Sequence, residues 1–129
     1  MAPSCPYPRS VKYYMAAPVE FRQGAIELLI LRTLAWGPQH GFSIARWIQD
    51  TTDDVLRLEE GSLYPTLHRL EDKKWISSHW GQTANKRRAR IYELTAEGRK
   101  QLAAETRDWW RYSNAIAKVL KATSKPSPV

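Results

Sequence analysis

A single cysteine, Cys5, stands in the 129 residues. It cannot close an internal disulfide and offers no metal-ligand spacing, which fits a reducing compartment. Long apolar runs are missing too. Nothing approaches the roughly 20 residues that a membrane-spanning helix needs, and the opening MAPSCPYP has no apolar centre of a signal peptide. The chain therefore reads as soluble and cytoplasmic, with no membrane partner. There is no phosphate-cradling glycine loop, no clustered acid–base pair and no nucleophile with a local partner, so no catalytic residue is assigned and an enzyme is disfavoured. His40, His68 and His79 share no ligand spacing, so neither a metal nor a cofactor is expected.

What is present is basic charge, unevenly placed. The net charge is +7. Up to Asp72 there are 7 basic and 9 acidic residues, and from Lys73 onward 13 and 4, so the two parts carry −2 and +9. Segregated cations suit a polyanionic partner, because Lys and Arg displace counterions condensed on phosphates. Charge alone is equally compatible with a solvated basic surface. With 43% hydrophobic residues, the chain holds one domain with a modest core, and small domains often gain stability by pairing.

Residues 1–19 contain Pro3, Pro6, Pro8 and Pro18 without apolar period and read as a flexible arm. Arg9 and Lys12 beside Tyr7, Tyr13 and Tyr14 would let such an arm touch nucleic acid; a frayed end is the plainer reading. From Phe21, the residues Ile26, Leu29, Ile30, Thr33 and Leu34 follow helical spacing, predicting a first helix from about 21 to 36, which Gly37-Pro38 ends. Leu28 and Leu31 widen its stripe, so it is expected to touch both its own domain and a second surface. A second helix opens at His40-Gly41-Phe42, with Ile44, Trp47 and Ile48 as one face, Phe42 in the core, and His40 bonded to local backbone.

A third helix carries Gly61 to Leu70, with Leu63, Leu67 and Leu70 at i, i+4, i+7. Ser62 is the expected N-cap, which would put Pro65 in the first turn. Its small polar start could approach DNA through Ser62, Tyr64, Pro65 and Thr66, with His68 and Arg69 on the outward face. After Trp75 the period becomes two. Ile76, Ser78 and Trp80 point one way, and Arg90 to Leu94 alternates likewise, predicting two antiparallel strands joined by Gly81 to Ala89. That connection holds Lys86, Arg87 and Arg88, with Arg90 next. A solvated loop is the common meaning of such a run; a tip this basic after three short helices points to DNA phosphates.

Thr95 is expected to cap a last helix, in which Leu102, Trp109 and Ile116 repeat every seven residues beside the row Thr106, Ser113, Leu120, a seam suited to helix pairing. The tail 123–129 is expected to fray. The expected fold class is mainly α with a small two-stranded β wing: a winged helix-turn-helix over 20–95 and a C-terminal dimerisation helix over 96–122.

The segments Gly24 to Leu31, Pro38 to Ala45, Glu60 to Glu71 and Arg90 to Gly98, in that order and spacing, resemble the PadR family of bacterial transcriptional regulators. The resemblance spans about residues 21 to 122; Phe42 stands where the family commonly has tyrosine. It implies a homodimer on a palindromic operator in double-stranded DNA, usually as a repressor, with Ser62, Tyr64 and Pro65 and the wing bases Lys86, Arg87 and Arg88 approaching DNA. Dimer contacts are expected at Leu28, Leu31, Leu102, Trp109, Ile116 and Leu120. Family members with tryptophan near this point of the closing helix include sensors of planar aromatic compounds, so Trp109 and Trp110 are candidates for holding a small aromatic effector. That both indoles simply fill a dimer interface is the plainer reading. A protein-interaction module on the same scaffold is the alternative function.

Overall fold

The computed structural model describes residues 23–128. The expectations for the arm 1–19, Phe21 and Cys5 lie outside the described residues. Helix α1 (Gln23–Leu34) leads through a turn into the two-residue strand β1 (Gln39–His40) and helix α2 (Gly41–Thr51). Helix α3 (Glu60–Asp72), strands β2 (Ile76–Gln82) and β3 (Arg88–Leu94), and the long helix α4 (Ala96–Lys121) follow. Residues 122–128 carry no regular structure.

The core forms where the apolar stripes of three helices meet the base of the hairpin. Ile26, Ile30, Leu31 and Leu34 of α1, Ile44 and Ile48 of α2, and Leu63, Leu67 and Leu70 of α3 are buried together with Leu58, Ile76 and Tyr92. Helical spacing puts each set on one face, and burying a leucine or isoleucine contributes about 1.5–3 kcal/mol. Leu31 was expected to face a partner but is fully buried, because the α1 stripe is wide enough to pack α2 and α3 at once. Phe42 was expected in the core but is 65% exposed. It directly follows Gly41, and the buried stripe of α2 runs through Gly41, Ile44 and Ile48 instead.

The sheet has three strands in the order β1-β3-β2, all antiparallel. The two strands of the wing match expectation; the third, Gln39–His40, pairs with Tyr92 and Ile91 and is too short to show any period in the sequence. In the wing, Ser78 faces Tyr92, Trp80 faces Arg90 and Gln82 faces Arg88 across the ladder. Register therefore sets Ile76, Ser78, Trp80, Tyr92, Arg90 and Arg88 on one face. The hairpin loop is tighter than the predicted Gly81 to Ala89: Thr83 N donates to Arg87 O at 2.8 Å and Lys86 N to Thr83 O at 2.9 Å, with Lys86 in the left-handed region at φ 62°.

Thr95 ties α4 to the domain. Its Oγ1 accepts from Gly98 N at 3.0 Å, as expected of the cap, and donates to Lys74 O at 2.7 Å. A Cβ at Gly98 would run into the Trp75 carbonyl, so glycine allows the helix to start this close. Leu102 packs against the core. Beyond it, Trp109, Tyr112, Ile116, Val119 and Leu120 are exposed.

A candidate nucleic-acid interface

Helix α3 begins earlier than its sequence suggests. The Glu59 carbonyl accepts from both Ser62 N at 3.0 Å and Leu63 N at 2.9 Å, so Ser62 is already inside the first turn and Glu59 is the N-cap, without a side-chain bond. Ser62 is thus not the cap, and Pro65 lies in the helix interior rather than its first turn. The bond that Pro65 cannot donate would have ended on Gly61 O; Gly61 is exposed, which limits the cost of leaving that bond unmade.

The two faces of α3 divide its candidate residues. Ser62, Tyr64, Pro65, His68 and Arg69 are exposed. Thr66, expected among the DNA contacts, has 0% exposure. It lies on the Leu63–Leu67–Leu70 side; its hydroxyl donates to Ser62 O at 2.7 Å and accepts from Arg69 Nη2 at 2.9 Å. Its effect on the outer face passes through Arg69.

Tyr64 reaches across to α2. A Cβ on Gly41 would stand 2.9 Å from Tyr64 Oη and 3.0 Å from Cε1, so glycine at the start of α2 leaves space for the phenol. Beside it, His40 Nδ1 accepts from Ser43 N at 3.3 Å and its Nε2 lies 2.8 Å from Ser43 Oγ. The expectation of a local backbone bond is met; with Nδ1 accepting, a neutral ring donates from Nε2 to that hydroxyl. His40 also stacks on Phe42, with ring centroids 6.4 Å apart.

The wing closes the other side. Arg88 and Arg90 place their guanidinium carbons 4.6 and 5.3 Å from the centroid of Trp80. Arg90 Nε donates to Ser78 Oγ at 3.0 Å, and Ser78 Oγ donates to Glu71 Oε2 at 2.5 Å. A chain of polar contacts thus runs from the end of α3 to the wing. Burial holds the Tyr92 phenol above its ordinary pKa of 10.0, aided by the Glu71 carboxylate and Tyr64 and opposed by Arg90. Between α2, Tyr64 and the wing lies an open cleft of about 600 Å³, with His40, Ser43, Tyr64, Asn85, Arg88 and Arg90 on its walls.

Of the expected site residues, the fold brings Tyr64, Arg88 and Arg90 to one cleft, with Arg87 also on its wall and Lys86 exposed at the turn. Sequence reasoning missed Trp80, Ser78 and Glu71. Alternation did place Ser78 and Trp80 on one face of their strand, but only the register shows that this face carries Arg88 and Arg90. Among the expected dimer residues, Leu28 and Leu102 are half-buried, while Trp109, Ile116 and Leu120 are exposed; Trp110 is exposed as well. Among the described residues no His, Cys, Asp or Glu cluster could hold a metal, and no helix is long and apolar enough to cross a membrane.

A family model described as the transcriptional regulator PadR-like family matches residues 30–104. The chain is 35% identical over 89 residues to the transcriptional regulator Rv3488 of Mycobacterium tuberculosis, covering 68% of this chain and 78% of that one. A solved transcriptional regulator from Clostridium thermocellum superposes with a TM-score of 0.70 at 29% identity, covering 77% of this chain and 96% of the other. A PadR family transcription regulator from Clostridium difficile superposes with a TM-score of 0.65 at 28% identity, covering 74% and 97%.

Proposed function

The chain belongs to the transcriptional regulator PadR-like family and is not an enzyme, and from that premise we propose that it works as a homodimer that binds a palindromic operator and represses transcription. One observation carries the reading: Tyr64 of α3 and the wing cations Arg87, Arg88 and Arg90 border a single open cleft of about 600 Å³. Ser62, Tyr64, Pro65, His68 and Arg69 are the groups placed to meet base edges and nearby phosphates; Lys86, Arg87, Arg88 and Arg90 supply the salt-dependent attraction. Pairing is supported by the exposed apolar row of α4, since the described chain leaves Trp109 and Ile116 41% and Leu120 79% exposed. Leu28 at the edge of α1 would border that contact. A dimer seated on its operator obstructs polymerase, hence repression. Trp109 and Trp110 lie where two α4 helices would meet, and a planar aromatic compound held there would alter the spacing of the two reading heads.

The test is selection of bound sequences from random DNA. A palindrome with half-sites about one helical turn apart is the expected result. Retention of DNA only when a second protein is added would replace this reading with an interaction module. For the effector, quenching of tryptophan fluorescence by planar aromatic compounds is expected, and unchanged fluorescence with DNA binding intact would remove it.

A further inference from the structure

Resting on the DNA-binding reading, we propose that Trp80 is the positioning residue of the wing. Its indole holds Arg88 and Arg90 as a pre-aimed pair for backbone phosphates, and this inner pair, rather than Lys86 and Arg87 at the turn, carries most of the wing's grip.

The placement follows from register. Trp80 stands directly across from Arg90, and Arg88 is its diagonal neighbour on the same face. Both guanidinium groups lie within 5.3 Å of the ring centroid, inside the range in which the negative face of an indole attracts a cation. Trp80 is 56% exposed, so its ring is not spent on the core.

Arg90 is held at a second point. Its Nε donates to Ser78 Oγ, which Glu71 in turn orients. With Nε occupied, the terminal nitrogens remain to face a phosphate. An arginine already held over a ring loses less freedom on binding than one that must be ordered at that moment. Lys86 and Arg87 start from the turn itself, as exposed side chains. The inner pair lines the cleft shared with Tyr64, as does Arg87, but only the inner pair is held by the indole, so the phosphates it grips fix the position of α3 over the bases.

The experiment uses the full chain and a DNA site obtained by selection, with affinity measured by fluorescence anisotropy across a salt series. W80L, which keeps apolar bulk without a π face, should weaken binding about tenfold, and W80F should recover most of it. In an R88Q/R90Q background W80L should cost nothing further, since the ring then has no cation to hold. R88Q/R90Q should weaken binding more than K86Q/R87Q and lower the salt slope by about two. Wild-type affinity in W80L, its full loss persisting in the R88Q/R90Q background, or K86Q/R87Q costing as much as R88Q/R90Q would each overturn the proposal. If circular dichroism shows W80L unfolded, the comparison of the two charge pairs decides alone. Wild-type protein that selects no DNA refutes the functional reading itself, and this inference with it.

Discussion

The phenol of Tyr64 lies so close to Gly41 that a methyl group there would stand 2.9 Å from Tyr64 Oη. A side chain of α3 thereby rests on the first residue of α2. The obstructing atoms are the far end of a side chain, so they can yield. G41A is expected to change stability by less than about 1 kcal/mol, since alanine also favours the helix, yet to displace Tyr64 and weaken operator binding about tenfold, near 1.4 kcal/mol. Chemical denaturation beside anisotropy checks both halves; equal DNA affinity would show that the position of Tyr64 does not matter.

Thr66 acts from inside the helix. T66V keeps the shape but removes the hydroxyl that Arg69 donates to. A loss of about 1 kcal/mol in urea denaturation is expected. Base preference in a repeat selection should change only at the position nearest Arg69, because Thr66 is buried and reaches the contact face through that side chain alone; altered preference elsewhere would contradict its placement.

Gly98 meets backbone rather than a yielding side chain. G98A presses a methyl onto the Trp75 carbonyl and should cost about 1–3 kcal/mol, as overpacking typically does. Thermal unfolding would register the shift, and unchanged stability would mean that α4 can start elsewhere.

The α4 seam can be tested apart from folding. I116E adds a charge to an exposed apolar row and should convert dimer to monomer in sedimentation velocity while helix content is retained. The rise in dissociation constant should exceed tenfold, the scale set by a central interface residue. A dimer that survives W109A and I116E together would place the pairing surface elsewhere.

Alkaline pH should expose Tyr92. Its folded pKa is raised above 10.0, so above that pH the unfolded chain gives up the proton first while the folded one retains it. Stability is then full below about pH 10 and falls as pH rises from there to the folded value. Y92F should flatten that part of the stability–pH curve measured by denaturant titration; an unaltered slope would assign the loss to another group.

Periodicity and end signals already showed the helices, the two wing strands and the Thr95 cap, because each rests on neighbours within a few residues. The residue types at the site were legible for the same reason: Tyr64 on an outward face, and four cations around a turn. Which of them meet was not. Thr66 and Leu31 were given outward roles because a single helix pattern cannot reveal how many neighbours will cover its flanks. Phe42 went the other way, its hydrophobicity outweighed by its angle on α2. By itself the sequence determined the order of the helices and wing strands and the stock of polar and basic groups. Only the tertiary structure decided that Trp80 lies under Arg88 and Arg90 and that Glu71 reaches the wing through Ser78, since strand register and helix packing arise from contacts between residues far apart in the chain, which no local pattern encodes.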